Sequence, residues 1–202
     1  MVRSESDSRD LLLQRVLAFA ASDGVADRSL REIAAGVGTS HRMLIYHFGS
    51  REGLLAAIVG QVEAQQRASM AMLAEPGKSG KPGKNGEAGK NGEAGKNGED
   101  LMRRLWEQVS SEELRPYVRL FFEVFGLAVR GAPGTSKLLD GLTADWVTDA
   151  VAAAERMGLP ADPAAMRLGV AVSRGLLLDL LAGTPRQDVD AAYEAFIDMF
   201  SR

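Results

Sequence analysis

In the stretch SHRMLIYHFGSREGLL, residues 40–55, two histidines, a tyrosine and two arginines stand among apolar residues, and the 202-residue chain has no other histidine. These side chains can donate to anions and to base edges, and a histidine can also exchange a proton near neutral pH. Other chemistries fit less well. His41 and His47 are six residues apart, on different sides of a helix rather than at the i, i+4 spacing of a zinc pair, so no metal site is expected. With no cysteine and no nucleophile set beside a base, no catalytic residue is assigned and no cofactor is expected. The glycines of GVGTS lack the longer spacing and the lysine of a phosphate loop. Hydrogen bonding remains. Residues 28–51 carry Arg28, Arg31, Arg42 and Arg51 against one acid, Glu32, on a chain whose net charge is -3. A local basic patch on an acidic chain suits a small nucleic-acid footprint.

The elements that hold these residues read as helices. In LLLQRVLAFAAS, Leu12, Val16, Phe19 and Ala20 recur at spacings of three and four, and Asp23-Gly24 stops the run. Ser29 with Glu32 three residues later forms a capping box, opening a short helix that Gly36 and Gly38 end. Ser40 caps a third helix ending near FGS. Ser50 opens a fourth, whose stripe is Leu54, Leu55, Ile58, Val59 and Val62. Two short helices joined by a tight glycine turn make a helix-turn-helix.

From Gly77 to Gly98 glycine stands at every third position, and GKNGEA occurs twice before GKNGED. This period excludes a helix on propensity grounds and has too little proline for a collagen-like triple helix, so it reads as a linker. Helices resume after it. Ser110 with Glu113 suggests a second capping box; a further helix is expected over 136–157; Asp162-Pro163 is an N-cap and N1 pair; and Thr184-Pro185 starts the last helix. The helix after Asp162 is apolar nearly all round, which implies cover on more than one side. The expected architecture is all-α: a helix-turn-helix domain with its connecting helix over 1–75, a glycine-rich linker over 76–100, and a helical ligand-binding and dimerisation domain over 101–202.

Residues 29–55, SLREIAAGVGTSHRMLIYHFGSREGLL, resemble the DNA-binding signature of the TetR (tetracycline repressor) family of bacterial transcription regulators. The resemblance rests on Ile33-Ala34, Gly38, Ser40, Leu44, Tyr46-His47-Phe48, Ser50, Glu52 and Leu54-Leu55, and covers about the first 70 residues. Ile45 stands where that family usually has an aromatic residue, and Arg51 where lysine is common. The resemblance implies that Arg31, His41, Arg42 and Met43 meet bases of double-stranded DNA, while Ser29, Thr39, Tyr46, His47 and Arg51 meet the backbone; Ser40, at the start of the third helix, is counted among the DNA-binding residues. It also implies a homodimer, a palindromic operator and a small-molecule effector.

The third region supplies candidates for those partners. Trp106, Phe121, Phe122, Phe125 and Trp146 could line a cavity for a small, largely apolar effector, although helical spacing also suits them to a core. Ala165, Gly169, Val172, Leu176, Tyr193, Phe196 and Phe200, on the last two helices, are the expected dimer interface. No apolar run reaches the roughly 20 residues that span a bilayer, and MVRSESDSRD lacks a signal peptide's apolar stretch, so no membrane partner and a cytoplasmic location are expected. The reading is a ligand-responsive repressor. The alternatives are a DNA-binding regulator without ligand sensing and a helical enzyme.

Overall fold

The computed structural model describes residues 5–25, 27–74 and 90–200. The described residues are all-α: α1 (Glu5–Asp23), α2 (Leu30–Gly36), α3 (His41–Phe48), α4 (Arg51–Leu73), α5 (Lys90–Val109), α6 (Arg115–Val129), α7 (Ser136–Leu139), α8 (Ala144–Arg156), α9 (Pro163–Ala182) and α10 (Arg186–Phe200). They group into two compact units. One holds the described residues up to Glu63 with Arg119–Asp140; the other holds Ala64–Val118 and Gly141–Arg202, again over their described residues.

In the first unit, Val16, Ile33, Leu44, Leu54, Leu55, Ile58 and Val124 lose all contact with solvent. They are the apolar positions of the helical periodicity in α1 to α4, joined by one from α6. The core therefore forms because each short helix turns one face inward. Helix α2 begins at the expected capping box, and α4 begins where the Gly53 amide donates to Ser50 Oγ at 3.0 Å.

In the second unit, Trp106 of α5 and Val189, Tyr193, Phe196 and Ile197 of α10 form the buried cluster, with Val172, Leu176 and Phe200 packed against it. Trp106 stacks on Tyr193 with ring centroids 4.5 Å apart, and its indole N–H donates to Asp190 at 2.8 Å. The buried indole thus keeps a partner for its one polar atom.

Four expectations need correction. The glycine period does not exclude a helix throughout: α5 begins at Lys90. Each helical glycine costs about 1 kcal/mol against alanine. The cost is offset because the helix continues into the anchored segment around Trp106, Arg103 pairs with Glu99 one turn back at 3.3 Å, and Gly98 lies where a Cβ would meet Leu159 at 2.7 Å. The rest of the expected linker, 76–89, lies outside the described residues. The cap before α6 is Ser111, whose Oγ accepts from the Leu114 amide at 3.3 Å, because Ser110 is buried and donates back to the Trp106 carbonyl at 2.5 Å. The helix expected over 136–157 is broken into α7 and α8, and Arg174 of α9 donates to the Leu142 carbonyl and Thr143 Oγ1 at 2.9 and 2.8 Å, satisfying groups that the break releases. Finally, α9 has no fully buried residue. Within the chain it packs against α8 and α10 and is open elsewhere.

Phe196, 5% exposed, reaches the tryptophan through Tyr193. Phe196→Ala is expected to destabilise the second unit by about 3–5 kcal/mol, read by urea unfolding followed through Trp106 and Trp146 fluorescence.

Candidate nucleic-acid interface

The candidate interface is built on α2, the turn after it, and α3. Ser29 Oγ accepts from the Glu32 amide at 3.3 Å, and the Glu32 carboxylate accepts from the Ser29 amide at 2.8 Å and its hydroxyl at 2.6 Å. These bonds stabilise the ionised carboxylate, so the Ser29 hydroxyl first, and its amide second, hold the Glu32 pKa below the ordinary value. The helix ends at Gly36, with Val37 as its C-cap. Gly38 then takes φ +63°, a conformation that side chains with a Cβ disfavour, and the Thr39 amide closes back onto the Ala34 carbonyl at 2.9 Å.

Arg15 of α1 donates to the Val37 and Gly38 carbonyls, the latter at 3.1 Å. This is a cation placed on the carbonyl end of a helix, where the dipole favours it. The contact links α1 to the bend across more than twenty residues, and no local sequence signal announces it.

Beyond the bend, Ser40 Oγ accepts from the Met43 amide at 3.2 Å and starts α3. Leu44 and Phe48 are buried. At 3.6 residues per turn, Arg42 and Tyr46, two residues before and after Leu44, fall about 200° round the helix from it and point away from the core. Tyr46 is 63% exposed. His41, Arg42 and Arg31 are exposed, Thr39 and His47 are half-buried, and Met43 and Ile45 stand out on the two flanks. Arg31 lies on α2, while His41, Arg42, Met43, Tyr46 and His47 are gathered on one eight-residue helix.

Two of the expected backbone-contact residues carry structural duties. The Ser29 hydroxyl is committed to the capping box. Arg51, half-buried at the start of α4, donates its Nε–H to the Arg28 carbonyl at 2.9 Å. Arg28 is itself held, its guanidinium lying 5.2 Å above the Phe19 ring and donating to the Asp23 carbonyl at 3.1 Å. Arg51 thereby fixes the loop before α2 to the start of α4.

This arrangement presents hydrogen-bond donors and cations on the outer side of one rigid short helix, the form in which a helix-turn-helix meets a duplex. Residues 17–58 match the family model for bacterial regulatory proteins of the tetR family. This segment is thus similar to the TetR family. The matched segment is a transcription regulator's DNA-binding part rather than an enzyme's. No curated protein matches the sequence. Among solved structures, the fold is similar to that of a Rhodococcus sp. protein described as a TetR-family transcriptional regulator, with a TM-score of 0.66, 22% identity, and coverage of 98% of this chain and 100% of that one. A TetR-family regulator from Pectobacterium atrosepticum has a TM-score of 0.65 at 18% identity, covering 98% and 93% of the two chains. The multidrug binding protein EbrR, complexed with imidazole, has a TM-score of 0.58 at 22% identity, covering 98% and 90%. These likenesses establish that the TetR-type fold runs along nearly the whole chain.

The other expected sites are distributed differently. Trp106 is a core residue, 6% exposed. Phe121, Phe122 and Phe125 cluster on α6, with Phe121 meeting Phe122 edge-on at 5.1 Å and stacking on Phe125 at 6.1 Å, whereas Trp146 is half-buried on α8. A cavity of about 160 Å³ lies in the second unit, lined by Val109, Val118, Leu177, Leu180 and Arg186 among others, and by none of those five aromatic residues. Its mixed polar and apolar lining comes from helix ends that are distant in sequence, so periodicity within one helix could not reveal it. Of the expected interface residues, Tyr193 and Phe196 are buried in the chain's own core, Val172, Leu176 and Phe200 pack against that cluster, and a Cβ on Gly169 would lie 3.7 Å from Phe196. Ala165 is half-buried. Among the described residues no helix is long and apolar enough to cross a membrane.

Two outcomes are expected. A carboxylate with a lowered folded-state pKa contributes stability above its unfolded value and loses it as pH falls through the folded value. Amide exchange at Ser29 and Glu32 is therefore expected to accelerate as pH, after correction for intrinsic rates, drops below the carboxylate range, and Glu32→Gln should remove that dependence. Arg15→Ala is expected to cost about 1 kcal/mol in thermal unfolding and to raise amide exchange at Gly38 and Thr39, with Arg15→Lys recovering part of both.

Proposed function

We propose that this chain is a ligand-responsive transcriptional repressor that binds a palindromic operator as a homodimer and is released by a small, largely apolar effector. The observation that carries the reading is the outward face of α3, where Arg42 and Tyr46 lie opposite the buried Leu44 within the TetR-matched segment. In this reading His41, Arg42 and Met43 meet base edges with Arg31 of α2, while Thr39, Tyr46, His47 and Arg51 grip phosphates around them. Ser29, through its capping box, sets the start of α2 beside them. DNA as partner implies a cytoplasmic location.

The dimer is supported by a stripe that the chain leaves open. Ala164, Leu168, Ala171, Gly175, Leu178 and Ala182 are all exposed on α9 at alternating spacings of four and three. Leu168 and Leu178 are 56% and 51% exposed, and Met199 on α10 is 67% exposed. Such a stripe of small residues and leucines is the seam along which helices of two copies approach closely. It lies on the side of α9 away from Val172 and Leu176, so the face we assign to the partner differs in register from the one periodicity suggested.

Effector response is supported by the second unit's cavity, where Val109, Val118, Leu177 and Leu180 stand beside Glu112, Arg115 and Arg186. It also accords with the ligands of proteins of similar fold: EbrR with imidazole or proflavin, and a regulator from Saccharomonospora viridis with choline. An effector releases DNA only if it binds the DNA-incompetent state more tightly than the competent one. In domain terms we assign residues 1–75 to DNA reading, 76–100 to connection and 101–202 to sensing and dimerisation, with Arg119–Asp140 packed into the first compact unit.

The test is capture of fragmented bacterial genomic DNA by the purified protein over a salt series, followed by sequencing. A palindromic site surviving moderate salt is the expected result; uniform, salt-labile capture would refute the operator reading. Leu168→Glu with Leu178→Glu is expected to give a folded monomer in sedimentation and to weaken operator binding at least a hundredfold, since each half-site is then bound alone.

A further inference from the structure

Exposed aliphatic side chains are out of place on a helix that meets only phosphates and polar base edges, yet α3 carries two. Met43 is 41% exposed and Ile45 39%. Both are one residue from Leu44, at about 100° on either side of it, so they form the two flanks of the face whose centre is Arg42 and Tyr46. Neither can donate to phosphate, unlike the arginine, tyrosine and histidine around them.

An α-helix with its side chains is about 10–12 Å across and the major groove about 12 Å wide, so a helix seated there brings both flanks close to base edges. Among the groups that base pairs display in that groove, the apolar one is the thymine C5-methyl. We infer that Ile45 is a specificity-determining residue that packs on a thymine methyl group, with Met43 doing the same on the opposite flank, so that each half-site carries a thymine for each of them. This inference rests on the reading of α3 as the major-groove helix, and it extends base reading to a residue outside the expected set.

Ile45 lies beyond the N-cap, and its flank position leaves Leu44 and Phe48 to hold the helix. Replacing it therefore leaves the fold's support in place. The experiment uses the full chain and the operator duplex from the genomic selection, with each thymine replaced in turn by deoxyuridine, which removes only the methyl group. The wild-type protein is expected to lose about fourfold in affinity at each of two positions per half-site, the factor produced by exposing one methyl group. In Ile45→Ala the loss at one of these positions should vanish, and in Met43→Ala the loss at the other; Ile45→Val should keep it.

Equal affinity for every deoxyuridine duplex, or penalties that persist unchanged in both alanine variants, would overturn the inference while leaving operator binding intact. A wild-type protein that does not distinguish the operator from a scrambled duplex at the same salt would instead remove the DNA-reading assignment itself, and the methyl contacts with it.

Discussion

Burial of Leu44 and Phe48, four residues apart on α3, is the constraint on which the rest depends. A helix of eight residues has little stability of its own and persists because its apolar side is packed. Fixing that side fixes every other. Arg42 and Tyr46 must then face outward and Met43 and Ile45 must stand on the flanks. Rotating the helix by one residue would expose Leu44, now fully buried, and carry the hydrogen-bonding groups inward, where they lack partners.

Around that packed side, polar contacts fix where the helix begins and how it follows α2. Ser29 with Glu32 and Ser40 with the Met43 amide satisfy the open ends of two short helices, and Arg15 holds the carbonyls of the bend between them. These bonds are individually modest, but each acts at a helix terminus, where an unmade bond would fray a large share of so short an element. Arg51 extends the same logic to the start of α4. Thus a cation that could serve a phosphate also serves the fold.

The second unit divides its apolar residues between an internal cluster and an open face. Trp106 and Tyr193 stack in the cluster, and α10 supplies most of its buried side chains. Helix α9 presents Val172 and Leu176 to that cluster and leaves Leu168 and Leu178 exposed. A helix apolar on nearly all sides but without a fully buried residue has more apolar surface than its own chain covers.

Much of this was legible in the sequence because the signals are local. The Ser29–Glu32 box, the Ser40 cap and the Asp162-Pro163 start are side chains acting on backbone within one turn, and the periodicity of α1 to α4 reports a buried face irrespective of what buries it. The residues we propose to meet DNA stood out for the same reason, most of them lying together in one short segment. What only the tertiary structure decided were choices between equivalent local options: Ser111 over Ser110 as a cap, the break between α7 and α8, the extension of α5 into a glycine-rich stretch, and which side of α9 meets its own chain. The role of Trp106 as core, the brace from Arg15 and the bond from Arg51 to Arg28 belong to the same group. Each depends on groups far apart along the chain, whose meeting is set by packing between helices and not by any residue's neighbours in sequence.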